Sequence, residues 1–136
     1  MILALIVSVL LHTEAGDIRV QVDEQHAPLT AANFLRYVRE GFYNGGVFHR
    51  TVTPNNQPQN KVKIEVIQAG PNPADKRRQR APIPLERTNV TGLQHVDGAI
   101  SMARDGPDTA TSDFFICIGN QPELDYGGKR NPDGQG

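Results

Sequence analysis

The sequence lacks the residue patterns of disulfides, metal sites and common cofactor sites. Its one cysteine, Cys117, cannot form a disulfide within the chain and lies in an apolar run, so we interpret it as a buried core residue. The four histidines, His12, His26, His49 and His95, lack the spacing of metal ligands. No P-loop, dinucleotide-binding glycine pattern or Ser-His-Asp order is present. We therefore expect neither a metal nor another cofactor.

The charge balance lacks a strong excess of either sign. The formal net charge is −1, which is not typical of proteins that bind nucleic acids or membranes through their charge. One basic run, residues 76–80, lies among proline and glycine, and we interpret it as a solvated loop rather than a phosphate-binding patch. We expect a monomer without a nucleic-acid partner and without stable membrane association.

The apolar run at the start, residues 1–11, is too short for a membrane span, which needs about 20 apolar residues. It resembles the middle of a signal peptide but lacks a preceding basic segment and a following cleavage site. We favour a strand from Val7 to His12. Residues 1–6 remain an apolar extension of uncertain role, so a cytoplasmic and a periplasmic location both stay open. Residues 7–136 are predicted to form one domain.

The hydrophobic pattern favours strands over helices. Residues 7–22 predict a β-hairpin, because a turn around Gly16 is followed by alternating apolar and polar residues. One helix is predicted, with Thr30 as its N-cap, to about Glu40. Further strands are predicted at residues 47–52, 62–67, 98–103 and 114–118. This inventory favours a mainly β fold, an antiparallel sheet or barrel with a helix covering one opening.

Four segments carry a resemblance to a known family: "LHTEAGDIRVQVDEQHAPLTAANFLRYVREGFYNGGVFHR", "IQAG", "GAISMARDGPDTATSDFFICIG" and "LDYGGKRNPDGQG". In this order they resemble the cyclophilin-type peptidyl-prolyl cis–trans isomerases, most closely the bacterial members. The resemblance implies an antiparallel β-barrel capped by helices. It also implies an enzyme that accelerates rotation about Xaa-Pro bonds during protein folding, with proline-containing peptides and unfolded proteins as partners.

The resemblance also implies the roles of individual residues. Arg50 matches the catalytic arginine, although a strand-end arginine paired with a surface carboxylate is the simpler interpretation in isolation. Phe48 and His49 are interpreted as structural residues beneath the site rather than as reactants. Gln68 is interpreted as a residue that binds the substrate backbone. The remaining substrate-binding candidates are Ala103 and Arg104, which would pair with an extended peptide, Asp113 near Arg50, and Phe115 and Leu124 as pocket walls. An ordinary core residue is the alternative interpretation of Phe115 and, more strongly, of Leu124.

The sequence departs from the family pattern at several positions. The connection from Arg50 to Gln68 is longer than in typical members, so residues 53–62 are interpreted as an insertion. Glu65 occupies the position of a pocket phenylalanine, so either the insertion shifts the local register or another side chain covers this wall. Asp113 replaces a common glutamine and can still accept a hydrogen bond from Arg50. Glu123 replaces an aromatic residue.

The family pattern continues beyond the motif that ends this sequence, with further strands and a helix. We therefore expect an incomplete barrel, from a truncated gene product or a fragment, with exposed strand edges. Two alternatives to an isomerase stay open: a non-catalytic module that binds proline peptides, and an inert structural fragment.

Overall fold

The computed structural model describes residues 6–136, so most of the predicted N-terminal extension, residues 1–5, lies outside the described part of the chain. The predicted hairpin is confirmed. Strand β1 (Val7–Thr13) pairs antiparallel with β2 (Gly16–Val22), with Thr13 opposite Gly16 at the turn. Gly16 has a φ of 127°, which glycine adopts without a steric penalty.

The predicted helix is confirmed, but its start was predicted too late. Helix α1 (Pro28–Arg39) begins at Pro28, with Ala27 as N-cap. A proline at the first helical position costs little because its missing N–H would have no helical partner there. Thr30 lies inside the first turn, and its main-chain N–H donates to Glu86 Oε1 at 2.6 Å. The carboxylate of Glu86 thus accepts a hydrogen bond from the first turn of α1, where the side chain of Thr30 was expected to cap the helix.

A second sheet contains four antiparallel strands in the order β3, β4, β6, β5. These are β3 (Val47–Val52), β4 (Val66–Gly70), β5 (Ile100–Met102) and β6 (Phe114–Cys117). The predicted bounds of β3 are confirmed, and those of β5 and β6 were too wide. The two sheets form separate hydrogen-bonded ladders within residues 6–136, so the mainly β class is confirmed without one continuous barrel ladder.

The prediction of a strand at residues 62–67 was wrong for residues 62–65, because β4 begins only at Val66. The reason is the side chain of Gln57, which is buried in the insertion. Its Nε2 donates to the carbonyl of Ile64 at 2.6 Å, and its Oε1 accepts the N–H of Ile64 at 3.3 Å. The side-chain amide of Gln57 therefore forms the main-chain hydrogen bonds of Ile64 that a neighbouring strand would otherwise form.

The four-stranded sheet buries apolar residues on both faces. On one face Ala69 and Phe114 pack against Phe34 of α1 and Val20 of the hairpin. The opposite face carries a second cluster, comprising Val52, Ile64, Val66, Cys117 and Leu124. Cys117 is 1% exposed, as predicted for a core residue, and burial raises the pKa of its thiol to about 11.

The remaining ordered elements are short. Helix α2 (Thr88–Thr91) and a 3₁₀ helix (Pro122–Leu124) lie in the long connections that follow β4 and β6. The basic run at 76–80 is exposed, as predicted, and Arg77 within it is paired with Asp75. Within residues 6–136 no helix has the length and apolar character needed to cross a membrane.

Candidate active site

Three of the predicted site residues form a row across adjacent strands. Arg50 of β3 lies opposite Gln68 of β4, and Gln68 lies opposite Phe115 of β6. Partners that are directly opposite share one face of a sheet, so these side chains project on the same side. Arg50 Nη1 donates to Gln68 Oε1 at 3.3 Å, which joins the first two members of the row.

A β-bulge directs Arg50 to this face. Phe48 pairs with Ala69 and Arg50 pairs with Gln68, so His49 is the extra residue between them. In a regular strand Phe48 and Arg50, two positions apart, would share one face. The bulge places them on opposite faces, as bulges next to functional sites commonly do. Phe48 therefore packs edge-on against Phe114 on the helix side, with ring centroids 6.4 Å apart.

The row forms part of a groove with a volume of about 250 Å³. The groove is lined by six of the predicted site residues: Arg50, Gln68, Ala103, Arg104, Phe115 and Leu124. These six residues come from β3, β4, β6 and the connections that follow β5 and β6. Arginine, glutamine and a phenylalanine ring at one surface provide charged donors, an amide and an apolar wall for an extended peptide.

Three predicted site residues lie outside this groove: Phe48, His49 and Asp113. His49 Nε2 donates to Asp113 Oδ2 at 2.9 Å, and Gln68 Nε2 donates to the same oxygen at 3.3 Å. Arg50 makes no hydrogen bond with Asp113 in the described structure, contrary to the bond we considered, because Gln68 lies between them. Asp113 therefore orients Gln68, and through it acts on Arg50 only indirectly.

The apolar end of the groove is covered in spite of Glu65. Glu65 is not among the lining residues, whereas Ile64 and Val66 on either side of it are. Both neighbours are buried with Leu124, at 8% and 3% exposure. Ile64 thus supplies an apolar wall near the position where the family pattern has phenylalanine. Of the two explanations for Glu65, the structure favours another side chain covering this wall.

Arg104 uses its side chain to hold the C-terminal segment, residues 125–136. Its Nη1 and Nη2 form a two-point ion pair with Asp133, at 2.9 and 3.0 Å, and its Nε donates to the carbonyl of Gly136 at 3.0 Å. Hydrogen bonding from Arg104 lowers the pKa of Asp133 to about 2. The side chain of Arg104 is thus occupied, and the main-chain N–H of the preceding Ala103 donates to the carbonyl of Asp113 at 2.9 Å.

Comparison with known proteins identifies the family. The family model for "cyclophilin type peptidyl-prolyl cis-trans isomerase" matches residues 8–130. The chain belongs to the cyclophilin-type peptidyl-prolyl cis–trans isomerase family. It is 38% identical over 120 residues to peptidyl-prolyl cis-trans isomerase A of Dickeya dadantii, covering 88% of this chain and 58% of that protein. It is also 38% identical over 122 residues to peptidyl-prolyl cis-trans isomerase-like 3 of Rattus norvegicus, covering 87% of this chain and 69% of that protein.

Solved structures agree on the fold. A cyclophilin-type isomerase from Cryptosporidium parvum matches with a TM-score of 0.72 at 23% identity, covering 89% of this chain and 72% of that one. The same parasite protein, crystallised in the presence of the dipeptide Ala-Pro, matches with a TM-score of 0.70 at 23% identity, covering 87% of this chain and 72% of that one. This chain thus spans between about three fifths and three quarters of the length of these cyclophilins.

This cyclophilin-type chain also has groove residues that the sequence did not indicate. His95 stacks against Phe115, with ring planes 12° apart. Its Nδ1 lies 2.8 Å from Asp125 Oδ1 and its Nε2 lies 3.0 Å from Ser101 Oγ. All three partners of His95 are distant from it in sequence or separated by a loop, so spacing alone did not reveal them. In the part of the chain that the structure describes, His, Cys, Asp and Glu do not gather in threes as metal ligands would.

Arg130 is the second site residue that sequence reasoning missed. It lines the groove together with Arg50, and its Nη1 donates to Gln57 Oε1 at 2.6 Å and to the carbonyl of Val62 at 2.7 Å. Burial and, secondly, repulsion from Arg50 lower the pKa of Arg130. The insertion thus holds a second guanidinium beside the first.

Proposed function

We propose that this chain catalyses cis–trans isomerisation of Xaa-Pro peptide bonds in proline-containing peptides and unfolded proteins. An Xaa-Pro bond rotates over a barrier of roughly 18–20 kcal/mol, because the amide nitrogen shares its lone pair with the carbonyl group. Without a catalyst this takes tens to hundreds of seconds. No covalent bond breaks, so the reaction needs no nucleophile, metal or redox group.

A catalyst of this reaction must favour the twisted amide over both planar forms. In the twisted state the prolyl nitrogen becomes pyramidal, and its lone pair becomes available as a hydrogen-bond acceptor. A fixed cationic donor beside that nitrogen therefore stabilises the transition state selectively. Arginine is suited to this role because it stays charged and presents its N–H groups in a rigid fork.

The observation that carries the proposal is the alignment of Arg50, Gln68 and Phe115 on one face of three adjacent strands. In the proposed complex the proline ring packs against Phe115, with Leu124, Ile64 and Val66 behind it. Arg50 then donates to the prolyl nitrogen, while the side-chain amide of Gln68 holds the substrate backbone.

The edge of the sheet supports the orientation of the peptide. Strand β5 is the outermost strand on its side, so its free edge and the following Arg104 are available to an extended chain, while the N–H of Ala103 donates inward to the carbonyl of Asp113 at 2.9 Å. We propose that the residues before proline pair with this edge through main-chain groups. The Cryptosporidium parvum relative was crystallised in the presence of Ala-Pro, a dipeptide of the Xaa-Pro class proposed here as ligand.

A protease-coupled assay with an Ala-Pro peptide tests the proposal. Arg50→Ala is expected to lower kcat/KM by about 100-fold or more, the loss typical of removing one preorganised donor. Arg19→Ala is the matched control, because Arg19 is an exposed arginine on β2, in the other sheet. Turnover that survives Arg50→Ala would contradict the proposal. If the unmodified chain binds the peptide without turning it over, it is a non-catalytic binding module. If the folded chain does not bind the peptide at all, it is an inert fragment.

A further inference from the structure

The insertion forms one wall of a second cavity, open to solvent, beside Arg50. We call it the side cavity: a space of about 470 Å³ whose polar walls are Asn56, Gln57, Gln59 and Asn60 of the insertion, with Arg50 and Arg130. Arg50 and Arg130 also line the groove, so the two spaces meet at this pair of guanidinium groups. A peptide bound in the groove can therefore extend a side chain into the side cavity.

The two arginines lack a compensating carboxylate. Arg130 donates to the neutral oxygens of Gln57 and Val62, and Arg50 donates to the neutral amide oxygen of Gln68. Within residues 6–136, neither forms an ion pair, and the wall of the side cavity contains no aspartate or glutamate. Two like charges held close together are unfavourable unless an anion joins them.

Two acidic residues that contact neighbours of these arginines direct their carboxylates elsewhere. The main-chain carbonyl of Glu123 accepts the N–H of Arg130 at 3.1 Å, but its carboxylate accepts the N–H of Lys129 at 2.9 Å. Asp113 lies beyond Gln68 and pairs with His49. The guanidinium groups therefore keep donors free for a ligand that carries its own negative charge, and a carboxylate matches their planar fork.

The strand order indicates which side of the substrate proline this ligand occupies. The edge proposed to pair with the residues before proline is β5, whereas Arg50 and the side cavity lie at β3, the opposite end of the sheet. A peptide that crosses the row from β5 over Phe115 towards Arg50 delivers its residues after proline to the side cavity.

We propose that the side cavity binds the carboxylate side chain of an aspartate or glutamate that directly follows the substrate proline. Arg130 and Arg50 bind the carboxylate, and the insertion holds Arg130 in position. This inference rests on the proposed isomerase function and adds a preference for Pro-Glu and Pro-Asp sequences.

The test measures kcat/KM by NMR exchange spectroscopy on three peptides: Ala-Ala-Pro-Glu-Ala, the same peptide with Gln after proline, and Ala-Glu-Pro-Gln-Ala. We expect the Pro-Glu peptide to exceed the Pro-Gln peptide by roughly tenfold at low salt, as for a charge-assisted guanidinium–carboxylate pair. The ratio is expected to fall as salt rises. Arg130→Gln is expected to bring the ratio to about one, and Arg130→Lys to keep part of it. Lys129→Gln, a change at an exposed neighbour, is the matched control and is expected to leave the ratio unchanged.

Each outcome decides between the two proposals. Turnover of all peptides at equal rates, or a stronger preference for glutamate before proline, would overturn the side-cavity proposal and leave the isomerase function intact. A preference that survives Arg130→Gln in a folded protein would overturn the role of Arg130. Failure to turn over any of the peptides would overturn both.

Discussion

The imidazole ring of His95 lies parallel to the ring of Phe115, with centroids 5.8 Å apart and planes 12° apart. His95 is itself fixed at both ring nitrogens, by Asp125 Oδ1 at 2.8 Å and by Ser101 Oγ at 3.0 Å. Asp125 Oδ1 also accepts the main-chain N–H of His95 at 2.8 Å. A buried hydrogen-bond network of this kind holds the proposed proline-binding ring in one orientation.

His95 is therefore expected to act as a positioning residue for Phe115. Replacing it with alanine removes the stacked ring and leaves Ser101 and Asp125 without their shared partner. We expect the free energy of unfolding to fall by about 1–3 kcal/mol, the usual effect of losing a partner of buried polar groups. We also expect KM for an Ala-Pro peptide to rise by roughly threefold to tenfold, because the loss weakens binding of the proline ring at Phe115. The value of kcat is expected to change less, because the donor at Arg50 remains in place.

Steady-state kinetics and urea unfolding measure these two effects separately. Val96→Ala changes an exposed neighbour that is 50% accessible, and it serves as the control. A His95→Ala protein with lowered stability but unchanged KM would show that His95 supports the fold alone. A fall in kcat at constant KM would contradict the positioning role.

Gln57 is expected to be the residue on which the insertion depends. It is 7% exposed and bonds both main-chain groups of Ile64 as well as Arg130. Gln57→Ala leaves these groups without partners, so we expect a loss of about 1–3 kcal/mol in the free energy of unfolding. Urea denaturation measures it.

Gln59→Ala is the matched control for Gln57→Ala, because Gln59 is an exposed glutamine in the same insertion. It is expected to change the free energy of unfolding by less than about 0.5 kcal/mol, as is usual for surface positions. Equal effects of the two substitutions would contradict the central role of Gln57.

The contact between Arg104 and Asp133 predicts a pH dependence at the C-terminal segment. The pKa of Asp133 is lowered to about 2 in the folded chain, whereas an unfolded aspartate titrates near 3.9. The ionised form of the Asp133 carboxyl group is therefore more favourable in the folded chain than in the unfolded chain. The stabilising contribution is present in full above pH 4 and is lost as the pH falls from about 4 to 2.

NMR titration of the Asp133 carboxyl carbon measures this shift directly. We expect its midpoint near pH 2, and a return towards 3.9 in Arg104→Gln. Limited proteolysis of residues 125–136 is expected to accelerate in the same variant, since Arg104 also binds the carbonyl of Gly136. A midpoint near 3.9 in the unmodified chain would contradict the ion pair.

The sequence predicted those parts of the fold that depend on local pattern. The β1–β2 hairpin follows from alternation around Gly16, and the end of β3 follows from the polar loop after Val52. The row of Arg50, Gln68 and Phe115 could be predicted because Arg50 and Phe115 lie in long motifs whose order is typical of the family, with Gln68 in the short segment "IQAG" between them. Leu124 and Ala103 were predicted in the same way.

The features that were missed depend on contacts between distant segments. Arg130 reaches Gln57 over 73 positions in the sequence, and Thr30 is capped by Glu86 over 56 positions. The bulge at His49 is an irregularity in the pairing of the backbone, and the order of residues in β3 does not reveal it. The apolar wall formed by Ile64 could not be predicted, because it requires the side chain of Gln57 to replace a strand partner.

The most direct test of the central claim is the cis–trans exchange rate of an Ala-Pro peptide, measured by NMR exchange spectroscopy with the unmodified chain and with Arg50→Gln. If Arg50 donates to the twisted amide, Arg50→Gln will still bind the peptide, with shift changes at Phe115 and Ser101, while catalysed exchange falls by about 100-fold or more. Exchange at an undiminished rate in folded Arg50→Gln would contradict the account.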